Sequence, residues 1–230
     1  MRMADRVPVI AIDGPTGSGK GTVSRGLARK LGWHLLDSGA LYRLVALVAA
    51  QKSIALDDQV GLAEAAADMM IEFSSAEDTE RVCLGGVDVT AQLRTEELGA
   101  AASQLAGLPL VRTALLRRQR EFARPPGLVA DGRDMGSAVF PGAVLKIYLT
   151  ASPEERALRR YNQLKEKGID VSLPAVSREI GERDERDANR KVAPLKAVEG
   201  AHILNSTGTT PEQVIRRVTS LLAELDESAR

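Results

Sequence analysis

Hydrophobic and polar positions along this chain change period several times, and the changes mark out its elements. Val7 to Ile12 is a short, β-branched apolar run ending in Asp13 and Gly14, which predicts a buried strand feeding a turn. From Gly21 to Leu31 the apolar residues Val23, Leu27 and Leu31 recur at helical spacing, predicting a helix with one buried face. The pair Leu35-Leu36 reads as a strand end. Helices are predicted over Leu41 to Gln51 and over Asp57 to Met70, where Leu62, Ala66 and Met69 share a face. The period then becomes two. Ile71, Phe73, Val82, Leu84, Val87 and Val89 alternate with polar residues around the turn formers Ser74 to Asp78 and Gly85-Gly86, which predicts a small antiparallel sheet.

Helical spacing returns from Glu96 to Phe122, interrupted at Pro109. Its second half carries Arg112, Arg117, Arg118 and Arg120, with Arg124 just beyond and Glu121 as the opposing charge. Leu128 to Ala130, Val144 to Leu149 and His202 to Leu204 are short enough to be buried strands. Ser152, Pro153 and Glu155 form a capping box with proline at the first helical position, and Thr210, Pro211 and Gln213 repeat that signature before a last helix. Strands separated by helices predict an α/β fold, a parallel sheet flanked by helices with a small antiparallel insert. In such sheets ligands gather beyond the carboxyl ends of the strands.

Composition narrows the partners. The 31 basic and 31 acidic side chains of this 230-residue chain cancel, which argues against a protein that coats nucleic acid or an acidic membrane. One cysteine and two histidines build neither an intrachain disulfide nor a Cys/His zinc site. No apolar run reaches the length of a signal peptide core or of a membrane span, so a soluble cytoplasmic protein is expected.

The most specific local signal is Gly14-Pro15-Thr16-Gly17-Ser18-Gly19-Lys20-Gly21-Thr22, between the first strand and the first helix. This is the phosphate-binding loop pattern, with Gly21 inserted between lysine and hydroxyl as in nucleoside monophosphate kinases. Glycines let backbone N–H groups turn inward around a phosphate, and the helix that follows adds its positive end. Lys20 supplies a mobile charge for the β- and γ-phosphates, and Thr22 a hydroxyl for a magnesium ion or a phosphate oxygen.

Further polar clusters follow predicted strand ends. Asp37-Ser38-Gly39-Ala40-Leu41-Tyr42-Arg43 delivers Ser38, Tyr42 and Arg43 together, which suits a phosphate acceptor and equally suits a helix capped by Ser38 with Arg43 in solvent. Asp131-Gly132-Arg133-Asp134 places Asp131 to orient magnesium-bound water and Arg133 to bind phosphate, or else ends a strand in an ordinary turn. Glu179 to Lys191 is so dense in both charge signs that a solvated helix and loop are expected. Its arginines also suit a lid that closes over triphosphate and excludes water.

Taken together these segments resemble the bacterial cytidylate kinase family. Ile12-Asp13-Gly14-Pro15, Gly19-Lys20-Gly21-Thr22, Leu36 to Arg43, Leu93-Arg94-Thr95, Ala130 to Gly136, Glu182-Arg183-Asp184 and Asp187 to Arg190 all stand in order. The resemblance implies one nucleoside-monophosphate-kinase domain over residues 1–230. Its core would cover about 1–36, 107–155 and 196–230, a monophosphate-binding region about 37–106 with the β insert at about 70–92, and a lid about 156–195. It implies ATP on Gly14 to Thr22, with Arg156 or Arg159 contacting it, and magnesium bound mainly through ATP phosphates, water and Thr22. Cytosine would lie against Ser103, Arg112 and Asp134 with Arg190 nearby, and the ribose against Arg183 and Asp187. The acceptor phosphate would lie against Ser38, Tyr42, Arg43 and Arg133.

The reaction so implied is transfer of the γ-phosphoryl of ATP to CMP or dCMP, with no covalent intermediate. Lys20, Arg133 and Asp131 are its catalytic residues, and the working form is a monomer with small-molecule substrates only. A kinase for UMP or AMP is the first alternative, and Asp134 argues against uracil, which lacks the amine that a carboxylate would accept from. A P-loop switch that hydrolyses nucleotide slowly is the second.

Overall fold

The structure is a computed structural model that describes residues 7–76, 79–190 and 192–228. The turn expected at Ser74 to Asp78 therefore lies partly outside the described residues, as does Lys191. The chain divides into two compact units, residues 1–37 with 120–230, and residues 38–119.

The first unit is built on a five-stranded parallel sheet in the order β2-β6-β1-β7-β8. These strands are β1 (Val9–Asp13), β2 (His34–Asp37), β6 (Leu128–Gly132), β7 (Leu145–Thr150) and β8 (His202–Asn205). β1 and β6 are buried along their whole length, because helices cover both faces of a parallel sheet. Helix α1 (Lys20–Leu31) presents Val23, Leu27 and Ala28 to Ile10, Ile12 and Val129. The last helix, α8 (Pro211–Ser228), adds Val214, Val218 and Leu221 to the same core. Helix α1 stops at Gly32, whose left-handed conformation lets its N–H reach back to the carbonyls of Ala28 and Arg29. The ring of Trp33 then lies over Gly127, where any side chain would collide with it.

Helices α6 (Pro153–Glu166) and α7 (Leu173–Ala188) pack on each other through Ala157, Leu164, Val176 and Ile180. Ser152 caps α6 as expected, its Oγ accepting the N–H of Glu155 at 3.2 Å, but the expected box does not close: the Ser152 N–H donates to Thr207 Oγ1 at 2.9 Å and the Glu155 carboxylate pairs with Arg159 instead. A second cap was not anticipated: Ser172 Oγ accepts from Ala175 N and starts α7 well ahead of the charged stretch.

The second unit holds α2 (Ser38–Lys52), α3 (Gln59–Asp68), the antiparallel sheet β3 (Ile71–Ala76), β4 (Thr79–Leu84) and β5 (Val87–Asp88), then α4 (Glu96–Leu105) and most of α5 (Pro109–Glu121). Helix α2 is buried on nearly every side and packs on α3 and α4. The helical stretch from Glu96 does break before Pro109, which opens α5 because it has no N–H to lose at a first helical turn. Between β6 and β7, Met135–Val139 forms a single π-type turn that no sequence pattern suggested. Among the described residues no helix is long and apolar enough to cross a membrane.

Leu27 is fully buried in the sheet-side core. Leu27→Ala should lower unfolding free energy by about 2 to 5 kcal/mol, read from the midpoint of urea unfolding at unchanged m-value.

Candidate active site

The phosphate turn is shaped by close approach. Gly14, at φ 152°, runs so near β7 that an added Cβ would lie 1.9 Å from the carbonyl oxygen of Leu149. Gly17, at φ 77°, sits against α6, where its Cβ would meet Arg156 Cβ at 2.9 Å. Both positions exclude side chains by space and by conformation together. The turn thus packs closely against β7 and α6, as a turn of backbone amides that wraps a phosphate would.

Lys20 opens α1 and is almost completely buried. Its Nζ donates to the carbonyl of Pro15 at 2.8 Å, inside the turn. Burial and then the Arg133 guanidinium lower its pKa to about 7, opposed by Asp131. Asp131, near the end of β6, is pushed up to about 6 by burial, against the pull of Lys20. Asp131 Oδ2 also stands 3.5 Å from where a Cβ on Gly21 would be, beside the first turn of α1. A lysine held near neutrality by burial becomes fully cationic beside an anionic ligand.

Arg133 ties three segments together. Nε meets Asp187 Oδ2 at 2.9 Å, Nη2 donates to Thr16 Oγ1 at 2.7 Å, and Nη1 donates to Gly132 O at 3.3 Å. Asp187 Oδ1 pairs with Arg190 as well. Burial alone would raise Asp187, but Arg133 and Arg190 outweigh it and hold the carboxyl below its usual range. The expectation that the segment from Glu179 to Lys191 is solvated is therefore corrected at Asp187, which is 1% exposed. Its partners come from the residue after β6 and from the turn after α7, so its burial is compensated. Arg183 acts on both Lys20 and Asp187, lowering the pKa of each.

Arg156 and Arg159 project from α6 at different depths. Arg156 is buried beneath the turn, donating from Nε to Ala151 O and from Nη1 to Thr16 O, each at 3.1 Å, and pairing with Asp184 at 2.5 Å. Arg159 binds Glu155 at 2.9 Å and grips Ser206 through Oγ at 3.0 Å and the carbonyl at 2.6 Å. Its Nη1 lies 3.6 Å from the position of a Cβ on Gly19. Ser206, buried after the end of β8, donates to Ser18 O at 2.9 Å and so fixes the middle of the phosphate turn. Ser206 was not foreseen. Its signal in the sequence was a hydroxyl residue one place beyond the last strand, at the carboxyl edge of the sheet.

The second unit carries the other candidates. Ser38 is buried at the start of α2, with Tyr42 and Arg43 in its first turns. Arg112 Nη1 reaches Tyr42 Oη at 3.5 Å and the carbonyl of Ala106 at 3.2 Å, which brings two of the expected substrate contacts together. Arg43 Nε is buried with no hydrogen-bond partner among the described residues. Ser103 is buried on α4. In the first unit Thr22 is exposed on α1, and Asp134 is buried at the head of the π-type turn.

A glycine turn between β1 and α1 with a buried lysine, on a parallel sheet flanked by helices, defines a P-loop kinase. The profile of the cytidylate kinase family matches residues 10–224, and the chain belongs to that family. Among curated relatives, a cytidylate kinase of Pseudomonas paraeruginosa is 56% identical over 92% of this chain and 93% of its own. One from Azotobacter vinelandii is 54% identical over 97% and 99% respectively. One from Aeromonas salmonicida is 53% identical over 94% of both chains.

A polyanion beside Lys20 should raise its pKa from about 7, so binding at pH 8 takes up a proton that the free lysine lacks. Calorimetry of a non-hydrolysable triphosphate in two buffers of different ionisation enthalpy should show more proton uptake at pH 8 than Lys20→Met does. Equal uptake by the two chains would contradict the charge state assigned to Lys20.

Proposed function

We propose that this protein transfers the γ-phosphoryl group of ATP to the 5′-phosphate of CMP and dCMP, giving ADP with CDP or dCDP. The observation that carries the proposal is near-full-length likeness to cytidylate kinases at more than half identity. The site adds a physical rationale. Two highly charged phosphates must be brought in line, so the work is positioning and charge neutralisation, with no covalent intermediate.

Gly14 to Thr22 would hold the donor through backbone N–H groups, and Lys20 would leave the Pro15 carbonyl for the β- and γ-phosphates. Arg159, half-buried with its Nη1 beside Gly19, is better placed to touch ATP than Arg156, which is buried beneath the turn. Ser38, Tyr42, Arg43 and Arg133 would hold the acceptor phosphate. The unpartnered Nε of Arg43 supports this, since a buried donor without an acceptor favours an anionic ligand. Ser103, Arg112, Asp134 and Arg190 would read cytosine, and Arg183 and Asp187 the ribose. Each carboxylate oxygen accepts more than one hydrogen bond, so Asp187 can keep Arg133 and Arg190 while taking a hydroxyl. In this reading residues 37–106 form the monophosphate-binding region, about 156–195 the lid, and the rest of the chain the core.

The residues present fit magnesium held chiefly through phosphate. Among the described residues no three His, Cys, Asp or Glu side chains stand together to grip an ion. The Thr22 hydroxyl and Asp131 Oδ2 flank the start of α1, and magnesium characteristically takes one or two protein ligands and fills the rest with phosphate and water. Bound there it would neutralise charge on the β- and γ-phosphates. Small-molecule substrates, a monomeric state and a cytoplasmic setting complete the proposal.

A coupled assay with CMP, dCMP, UMP and AMP tests the acceptor: CMP and dCMP should turn over fastest, and faster turnover of UMP overturns the choice. Lys20→Met should reduce kcat by roughly a thousandfold or more while CMP binding survives. An active Lys20→Met enzyme would sink the mechanism.

A further inference from the structure

Asp13 takes no part in the chemistry described above, yet it is a buried acid at the end of the central strand. It ends β1 beside Gly132 of β6 and Tyr148 of β7, and it is 6% exposed. Its two carboxylate oxygens each accept one backbone N–H, from Met135 to Oδ1 and from Gly136 to Oδ2, both at 2.8 Å and both buried. Burying a carboxylate is costly, and an apolar residue would serve the core better. A carboxylate offers something a neutral side chain does not, namely two equivalent acceptors for two consecutive amides.

Those amides begin the π-type turn that follows Arg133 and Asp134. Ala138 N and Val139 N donate to the Asp134 carbonyl at 2.9 and 3.2 Å, and Phe140 N donates to Met135 O at 2.7 Å. Arg120 holds the far end through the carbonyls of Val139 and Ala138, at 3.0 and 3.2 Å. The stem of Lys146 lies against Gly136 and closes the side. Both ends of the turn are thus pinned, directly after the backbone that carries Arg133 and Asp134.

We infer that Asp13 is a positioning residue for the acceptor: by holding the Met135 and Gly136 amides it aims Arg133 and Asp134 at the nucleoside monophosphate. The inference rests on the proposed roles of Arg133 and Asp134. The charged and titratable groups that face Asp13 are Asp134 from the turn, Lys20 from α1, Asp131 from β6 and Tyr148 from β7. Burial raises the Asp13 carboxyl to about 6, against the two amide hydrogen bonds. Protonation makes one oxygen a poorer acceptor, so the clamp should loosen as pH falls through 6.

The test is the Asp13→Asn chain, which keeps the shape and one acceptor. The KM for CMP should rise about tenfold while the KM for ATP stays within about twofold, because the amides that Asp13 holds lead directly to the proposed acceptor contacts Arg133 and Asp134. A CMP constant that does not move, or CMP and ATP constants that rise together, overturns the inference. If Asp13→Asn does not fold, amide exchange on the unaltered protein decides. Protection of Met135 and Gly136, corrected for intrinsic rate, should fall between pH 7 and 5 while Ile10 to Ile12 stay protected, and constant protection overturns the inference. Arg133→Lys and Asp134→Asn separate the two layers. A CMP constant indifferent to both removes the acceptor roles on which the inference stands. One that responds to them and ignores Asp13→Asn removes the inference alone.

Discussion

The approach of Gly14 to β7 governs the geometry of the site. With a Cβ at that position only 1.9 Å from the Leu149 carbonyl, the chain leaves β1 along a path that no other residue could follow. That path lays the phosphate turn across the carboxyl ends of the strands, where the first turn of α1 points its free N–H groups at the same place. Lys20 is buried because the turn folds over it. Arg133 and Arg156 can reach Thr16, and Ser206 can reach Ser18, because the turn lies low on the sheet. Charge placement here follows from a steric constraint on one backbone atom.

A second layer of order is electrostatic. Lys20, Asp131 and Asp13 are all buried, and burial is the largest influence on each, driving all three toward neutrality. Arg133, Asp187 and Arg190 behave differently, since their mutual pairing keeps Asp187 ionised in spite of burial. The site therefore contains one set of groups whose charge depends on what binds and another whose charge is fixed. In the proposed reaction the first set answers to the triphosphate and the second preserves the shape of the acceptor side.

Much of this could be read from the chain. The glycine turn, the strands that end in charged residues and the box at Thr210-Pro211-Gln213 are local signals, and local signals survive translation into structure. Asp187 shows the limit. Its neighbours in sequence are charged, so composition points to solvent, but its burial is matched by Arg133, 54 residues away just beyond β6. The turn at Met135–Val139 has no periodic signature, because it exists through hydrogen bonds to Asp13, more than a hundred residues earlier. Arg156 carries the same lesson, since nothing nearby in sequence reveals that it lies under Gly17. Apart from the local cap at Ser172, what escaped the sequence is long-range polar pairing.

The packing of Trp33 over Gly127 has an optical consequence. The chain contains one tryptophan, and that residue belongs to the unit built on the parallel sheet, at the entry to β2. Its emission reports whether the loop before β6 still covers the indole ring. Residues 38–119 carry no tryptophan, so their loosening gives no direct tryptophan signal. Tryptophan fluorescence is thus a native spectroscopic label for one half of the molecule. Far-ultraviolet circular dichroism, to which the helices α2, α3, α4 and α5 contribute strongly, registers the other half as well.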